Sequence, residues 1–116
     1  MAATEELIVV AVRRVQEQAP ALEKLKLVVG LELTSGGLTG PGKSERFRIE
    51  VPGPKVSAGE PEDARLELTI PATMFKLLAE EGTLADWREA FHFGHLKISG
   101  DSRVKRVIGR AIEPSL

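Results

Sequence analysis

Three stretches of the chain alternate with a period of two, and each carries one apolar face. Leu27, Val29, Leu31 and Leu33 share a side with Val28, Gly30, Glu32 and Thr34 opposite; Phe47, Ile49 and Val51 alternate with Arg46, Arg48 and Glu50; Leu66, Leu68 and Ile70 alternate with Arg65, Glu67 and Thr69. Successive side chains of a strand point to opposite sides, so these are half-buried strands. A sheet made of them is apolar on one side and solvated on the other, and helices are needed on one face only. The Gly-rich connection between the first two strands reads as a hairpin, which makes them antiparallel. Pro52-Gly53-Pro54 ends the second strand, Lys55 to Ala58 has the length of a short third strand, and Gly59 to Asp63 forms a turn before the next.

The helices follow from a different spacing. Thr4 can cap a first helix whose positive end suits Glu5 and Glu6, and Ile8, Ala11, Val12, Val15 and Ala19 recur at helical intervals until Pro20 stops or bends it. The β-branched run Ile8-Val9-Val10 would also suit a strand. Pro71 fits a first helical turn, Met74, Phe75 and Leu78 share a face, and Gly82 ends that helix. Thr83 with Asp86 resembles a capping box for a second short helix striped by Leu84, Trp87, Ala90 and Phe91. Gly94 turns the chain into a strand in which Leu96 and Ile98 point one way and His95, Lys97 and Ser99 the other. Gly100 and Asp101 then turn and cap a last helix with Val104, Val107, Ile108, Ala111 and Ile112 on one face.

At 116 residues the chain is read as one domain spanning 1–116, long enough to bury a sizeable core. Its 16 Lys and Arg nearly balance 17 Asp and Glu, so no overall field draws it to nucleic acid. With no cysteine it has no disulfide, thiolate metal site or thiol nucleophile of its own, which fits a reducing cytoplasm. The apolar run Leu7 to Val12 follows two glutamates where a secretory signal needs positive charge, and it is too short to cross a bilayer. The absence of Asn, with abundant Glu, Arg, Lys and Pro, points to a heat-adapted source.

Gly37-Leu38-Thr39-Gly40-Pro41-Gly42-Lys43-Ser44 satisfies the spacing of a nucleotide-binding phosphate loop. That loop works only if Lys and Ser open a helix whose N-terminal amides hold phosphate. Here Glu45 to Val51 alternate as a strand and meet Pro52, so the match is refused in favour of a glycine hairpin with a basic flank. His92 and His95 are the only histidines; Gly94 between them ends the helix and no third ligand is evident, so no metal site and no cofactor is assigned. A catalytic reading needs His92, Lys97 and Asp101 to converge, which their spacing does not require. The Arg103, Lys105, Arg106 and Arg110 side chains flank an apolar stripe in the manner of helices that touch anionic membranes, although such charges are also an ordinary solvated face.

From Glu62 to Ile112 a gapped string stands out. An acidic turn leads into the strand to Ile70, Phe75 and Leu78 follow on a helix, and then come Gly82, Ala90-Phe91, Gly94, Leu96-Lys97-Ile98 and Gly100-Asp101. In order and spacing it resembles the sterol carrier protein 2 domain, also called the sterol-binding or non-specific lipid-transfer domain; the first half resembles it more loosely. The resemblance implies an α/β domain of the α+β type, with a single five-stranded, mostly antiparallel sheet backed by helices on one face and enclosing an apolar tunnel. It implies no catalysis. Carried onto matching positions, the tunnel is lined by Phe75, Leu78, Phe91, Leu96 and Ile98; Trp87, Val104, Ile108 and Ile112 join them as apolar residues of the same helical layer.

The chain departs from that pattern at His92, where members of the family often have a second aromatic or apolar residue; histidine there makes the lumen more polar or turns outward. It also stops at Glu113-Pro114-Ser115-Leu116, without the segment that covers the tunnel in animal lipid carriers and without their peroxisomal ending, so the tunnel is expected to be open or covered by a partner subunit. The expected ligand is apolar and small: a fatty acid, acyl-CoA, phospholipid, isoprenoid quinone or sterol-like molecule. The rival is an interaction or dimerisation module with a filled core, supporting an enzyme of lipid or quinone metabolism.

Overall fold

The alternating segment Leu27–Ser35 (β1) is the strand on which the sheet is built, in a computed structural model that describes residues 3–35 and 43–113. On one side it pairs antiparallel with β2 (Lys43–Val51), Leu27 opposite Val51 and Leu31 opposite Phe47. On the other it pairs parallel with β4 (Leu66–Pro71), Val29 beside Leu66 and Leu33 beside Ile70. β3 (Lys55–Ala58) extends the sheet beyond β2 and β5 (Lys97–Gly100) beyond β4, both antiparallel, so the order is β3-β2-β1-β4-β5. The five-stranded, mostly antiparallel sheet expected from the sequence is therefore present. Lys43 and Ser44 open a strand, in keeping with the refused phosphate loop; Gly37 to Gly42 lie outside the described residues.

This register puts Leu31, Phe47, Ile49, Leu66 and Ile70 together on one buried face. A slip of one residue in any pairing would move that strand's apolar set into water. The opposite face is charged. Arg48 reaches Asp63 through two hydrogen bonds, Nε at 2.9 Å and Nη2 at 2.6 Å, and contacts Glu50 at 3.3 Å. Arg46 sits 3.4 Å from Glu32 and also pairs with Glu60. The guanidinium beside it holds the Asp63 carboxyl below its usual range, and its two acidic neighbours push Arg48 higher still.

Helices α1 (Ala3–Gln18), α2 (Ala72–Glu81), α3 (Leu84–His92) and α4 (Ser102–Ile112) accompany the apolar face. The helical reading of Ile8-Val9-Val10 holds, because Ile8 and Ala11 are wanted on one buried stripe. Arg14 on α1 donates to the carbonyls of Ala79 at 3.0 Å, Gly82 at 3.3 Å and Glu80, satisfying acceptors that the end of α2 leaves unpaired. Gln18 accepts from the Leu84 amide at 2.7 Å at the start of α3. The Thr83 and Asp86 capping box is formed in both directions.

Three boundaries differ from the sequence reading. Pro20 opens a 3-10 helix (Pro20–Lys24), too short to leave a periodic signal. Pro71 closes β4 and stands just outside α2 rather than in its first turn. β5 starts at Lys97 rather than His95, because the amides of His95 and Leu96 still bond back to the Ala90 carbonyl at 2.9 and 3.1 Å. Gly100 at φ 127° makes the next turn; a Cβ there would lie 2.5 Å from the Arg65 carbonyl oxygen, so no other residue fits. The Asp101 carboxylate then accepts from the Arg103 amide at 2.8 Å and caps α4.

Candidate functional site

Between the apolar sheet face and the helices lies a cavity of about 240 Å³. Strands β1, β2, β4 and β5 supply its floor, including Val29, Val51, Leu68 and Ile98. α1 supplies one wall through Ile8, Ala11, Val12 and Val15, and Leu22 and Leu25 continue that wall past the 3-10 helix. Phe75 and Trp87 meet edge to face, their ring centroids 6.0 Å apart, and form the corner where α2 joins α3. Ile108 and Ile112 of α4 complete the lining. Among the described residues the lining holds one amide, Gln16, and otherwise only aliphatic and aromatic side chains.

Magnitude separates this from ordinary looseness. The cavity is partly open, so at about 24 cal/mol per Å³ a cost of about 6 kcal/mol is the ceiling for leaving a space of this size unfilled. The whole stability of a domain is about 5 to 15 kcal/mol. A chain selected only for packing would collapse such a space. Water is no remedy, because a site with one polar partner cannot hold water well. The chemistry it offers is burial of an apolar molecule.

Six of the nine residues named from sequence line the cavity: Phe75, Trp87, Leu96, Ile98, Ile108 and Ile112. Leu78 is buried in the packed core beside it, 7% exposed. Phe91 lies outside the lining and is 47% exposed, because α3 ends at His92 and turns its final residues outward. Val104 is half-buried on α4 and also stands outside the lining.

The sequence reading missed the opposite half of the enclosure: the α1 wall, Leu22, Leu25 and the inner face of β1 and β2. α1, β1 and β2 carry a visible periodicity, but it does not separate cavity wall from core, and Leu22 and Leu25 lie in or beside a segment too short to show one. Gln16 had a signal of its own, for it stands one helical turn after Val12 on the apolar stripe of α1.

His92 faces solvent beside Arg88, whose Nε is 3.4 Å from its Nε2, and does not reach the lumen. Asp101 is committed to its cap. Among the described residues no group of three or more His, Asp or Glu side chains is placed to hold a metal, and no helix is long and apolar enough to cross a membrane. None of the residues of α4 is buried, and its main packing is against Pro20–Lys24. Arg103, Lys105, Arg106 and Arg110 project from it into solvent.

Comparison with known proteins bears on the same architecture. Residues 10–113 match the SCP-2 sterol transfer family. The fold is similar to the apo form of sterol carrier protein 2 from Yarrowia lipolytica, 22% identical over 83% of this chain and 84% of that one, with a TM-score of 0.58. It is also similar to sterol carrier protein-2 from Aedes aegypti in complex with the C16 fatty acid palmitate, 18% identical over 96% and 94% of the two chains, TM-score 0.59. The sterol carrier protein domain 2 of Helicoverpa armigera aligns over 96% of this chain and 85% of its own at 16% identity, TM-score 0.62. No curated protein sequence matches the chain.

Proposed function

The chain belongs to the SCP-2 sterol transfer family, and from that premise we propose that it binds and carries a lipid-type molecule in its apolar cavity without chemical change. The observation that carries this reading is a cavity whose lining, among the described residues, is aliphatic and aromatic but for the Gln16 amide. Each methylene buried there contributes about 0.8 kcal/mol, so a chain of about twelve carbons brings about 10 kcal/mol before the costs of association are subtracted. That term is non-directional, and broad acceptance of fatty acids, acyl-CoA, phospholipid chains, quinones or sterol-like molecules follows from it. The palmitate held by the Aedes aegypti protein supports the acyl-chain reading.

Phe75, Trp87, Leu96, Ile98, Ile108 and Ile112 are the ligand contacts in this proposal, with Leu78 and Val104 supporting them from behind. α4 is the docking element. Ser102–Ile112 holds four cations and no acid, and each Lys or Arg brought to an anionic bilayer contributes about 1 kcal/mol. Contact there would place the bilayer against the cavity wall formed by Ile108 and Ile112. Carriage as a single domain in the cytoplasm completes the proposal.

The test is a native mass spectrum of gently purified protein beside a solvent extract of the same sample. A stoichiometric lipid in both supports carriage. Protein that carries nothing and also fails to take up a fluorescent fatty acid would overturn it.

A further inference from the structure

Gln16 differs from everything else in the cavity wall. It is the buried polar residue of the described chain, 7% exposed, and its Nε2 donates to the Pro52 carbonyl at 2.8 Å. A carbonyl only accepts, so this bond settles which end of the amide is nitrogen and which is oxygen. Among the described residues nothing donates to its Oε1, yet no buried polar atom there lacks a partner. No described residue uses the acceptor capacity of Oε1, on a side chain that borders open space. Gln16 borders two such spaces, the apolar cavity and a polar pocket shared with Arg13, Glu17, Glu23, Pro52 and Gly53. One amide stands where an apolar chain would end and its head group would begin.

We propose that Gln16 reads the polar end of the ligand, and that the cavity takes single-chain lipids ending in an uncharged hydroxyl in preference to the corresponding carboxylates. The inference rests on the lipid-carriage reading above. The amide offers an acceptor, Oε1, and its second Nε2 hydrogen as a donor. A hydroxyl both donates and accepts and so can satisfy both. A carboxylate only accepts; it would face the Oε1 lone pairs and lose water at the edge of an apolar cavity. Beyond Gln16 it would meet Glu17 and Glu23 against Arg13 alone. A site that hydrogen-bonds one end group discriminates strongly against a group that leaves its polar atoms unpaired.

The experiment is a competition titration of delipidated protein with 1-dodecanol and with dodecanoate at neutral pH, each displacing a fluorescent apolar probe. The wild type is expected to bind dodecanol about tenfold more tightly, and Gln16→Leu to bring that ratio below about threefold. Because Gln16→Leu also strips Pro52 of its donor, circular dichroism accompanies it. Should the variant fail to fold, Glu17→Gln with Glu23→Gln, both at exposed positions, decides instead, by tightening dodecanoate about threefold. Equal affinities in the wild type, tighter dodecanoate, or a preference untouched by the variants would overturn the inference while leaving carriage intact. Binding of neither probe would overturn carriage itself.

Discussion

The two ends of the helical layer are built differently. Where α1 crosses α2 and α3, the joint is held by the Arg14 guanidinium on three carbonyls, by Gln18 on the Leu84 amide, by the Thr83 capping box and by fully buried Ile8 and Ala79. Where α4 lies against Pro20–Lys24, no helical residue is buried, and Ile108 and Ile112 face the cavity while Val107 is exposed to solvent. The difference shows how a small chain keeps a binding cavity. Polar bonds and close packing are concentrated at one end, so that aliphatic surface at the other can be left for a ligand.

Breaking the packed end should have the largest effect. Phe75→Ala, which empties a side chain 3% exposed at the aromatic corner, is expected to destabilise by about 3 to 5 kcal/mol in denaturant titration. Arg14→Met removes charged donors from part-buried carbonyls and should cost about 1.5 to 3 kcal/mol by the same measurement. A matched pair sharpens the contrast. Leu78→Trp overpacks a filled site and should cost about 1 to 3 kcal/mol. Ile108→Trp should fill ligand space, lowering fluorescent fatty-acid uptake severalfold while changing stability by less than about 0.5 kcal/mol. Equal destabilisation by both tryptophans would erase the distinction between the two ends.

The smallest effect belongs to the solvated sheet face. Because Asp63 titrates below its unfolded value in the folded chain, its pairing with Arg48 adds stability above the usual carboxylate range. That contribution disappears as pH falls through the lowered value. Asp63→Asn should therefore flatten the acid limb of a stability profile slightly and leave ligand uptake unchanged, as expected of exposed ion pairs.

The strands were legible because their alternation is clean, and one-sided coverage followed from it: an Arg48 or Glu67 cannot be placed under a helix. The capping box and the Asp101 cap were readable because short polar side chains have specific local uses at helix starts. The 3-10 helix after Pro20 was not, since five residues show no period. Nor could spacing tell a core residue from a cavity wall. Leu78 and Phe75 sit on the same helical face and both pack into the core, yet only Phe75 also borders the lumen, and the relative placement of helices and sheet decides that. Phe91 misled for a related reason: a stripe that is apolar in sequence runs off the end of α3 into solvent.

All six isoleucines of the chain line the cavity, while Leu77 on α2 is 60% exposed on the far side. Methyl spectra of delipidated protein, labelled at Ile and Leu and titrated with palmitate, therefore address the cavity directly. Carriage in this cavity predicts that Ile8, Ile49, Ile70, Ile98, Ile108 and Ile112 shift together and saturate at one equivalent, with Leu77 unmoved. Unchanged isoleucines, or a shift confined to Leu77, would contradict it.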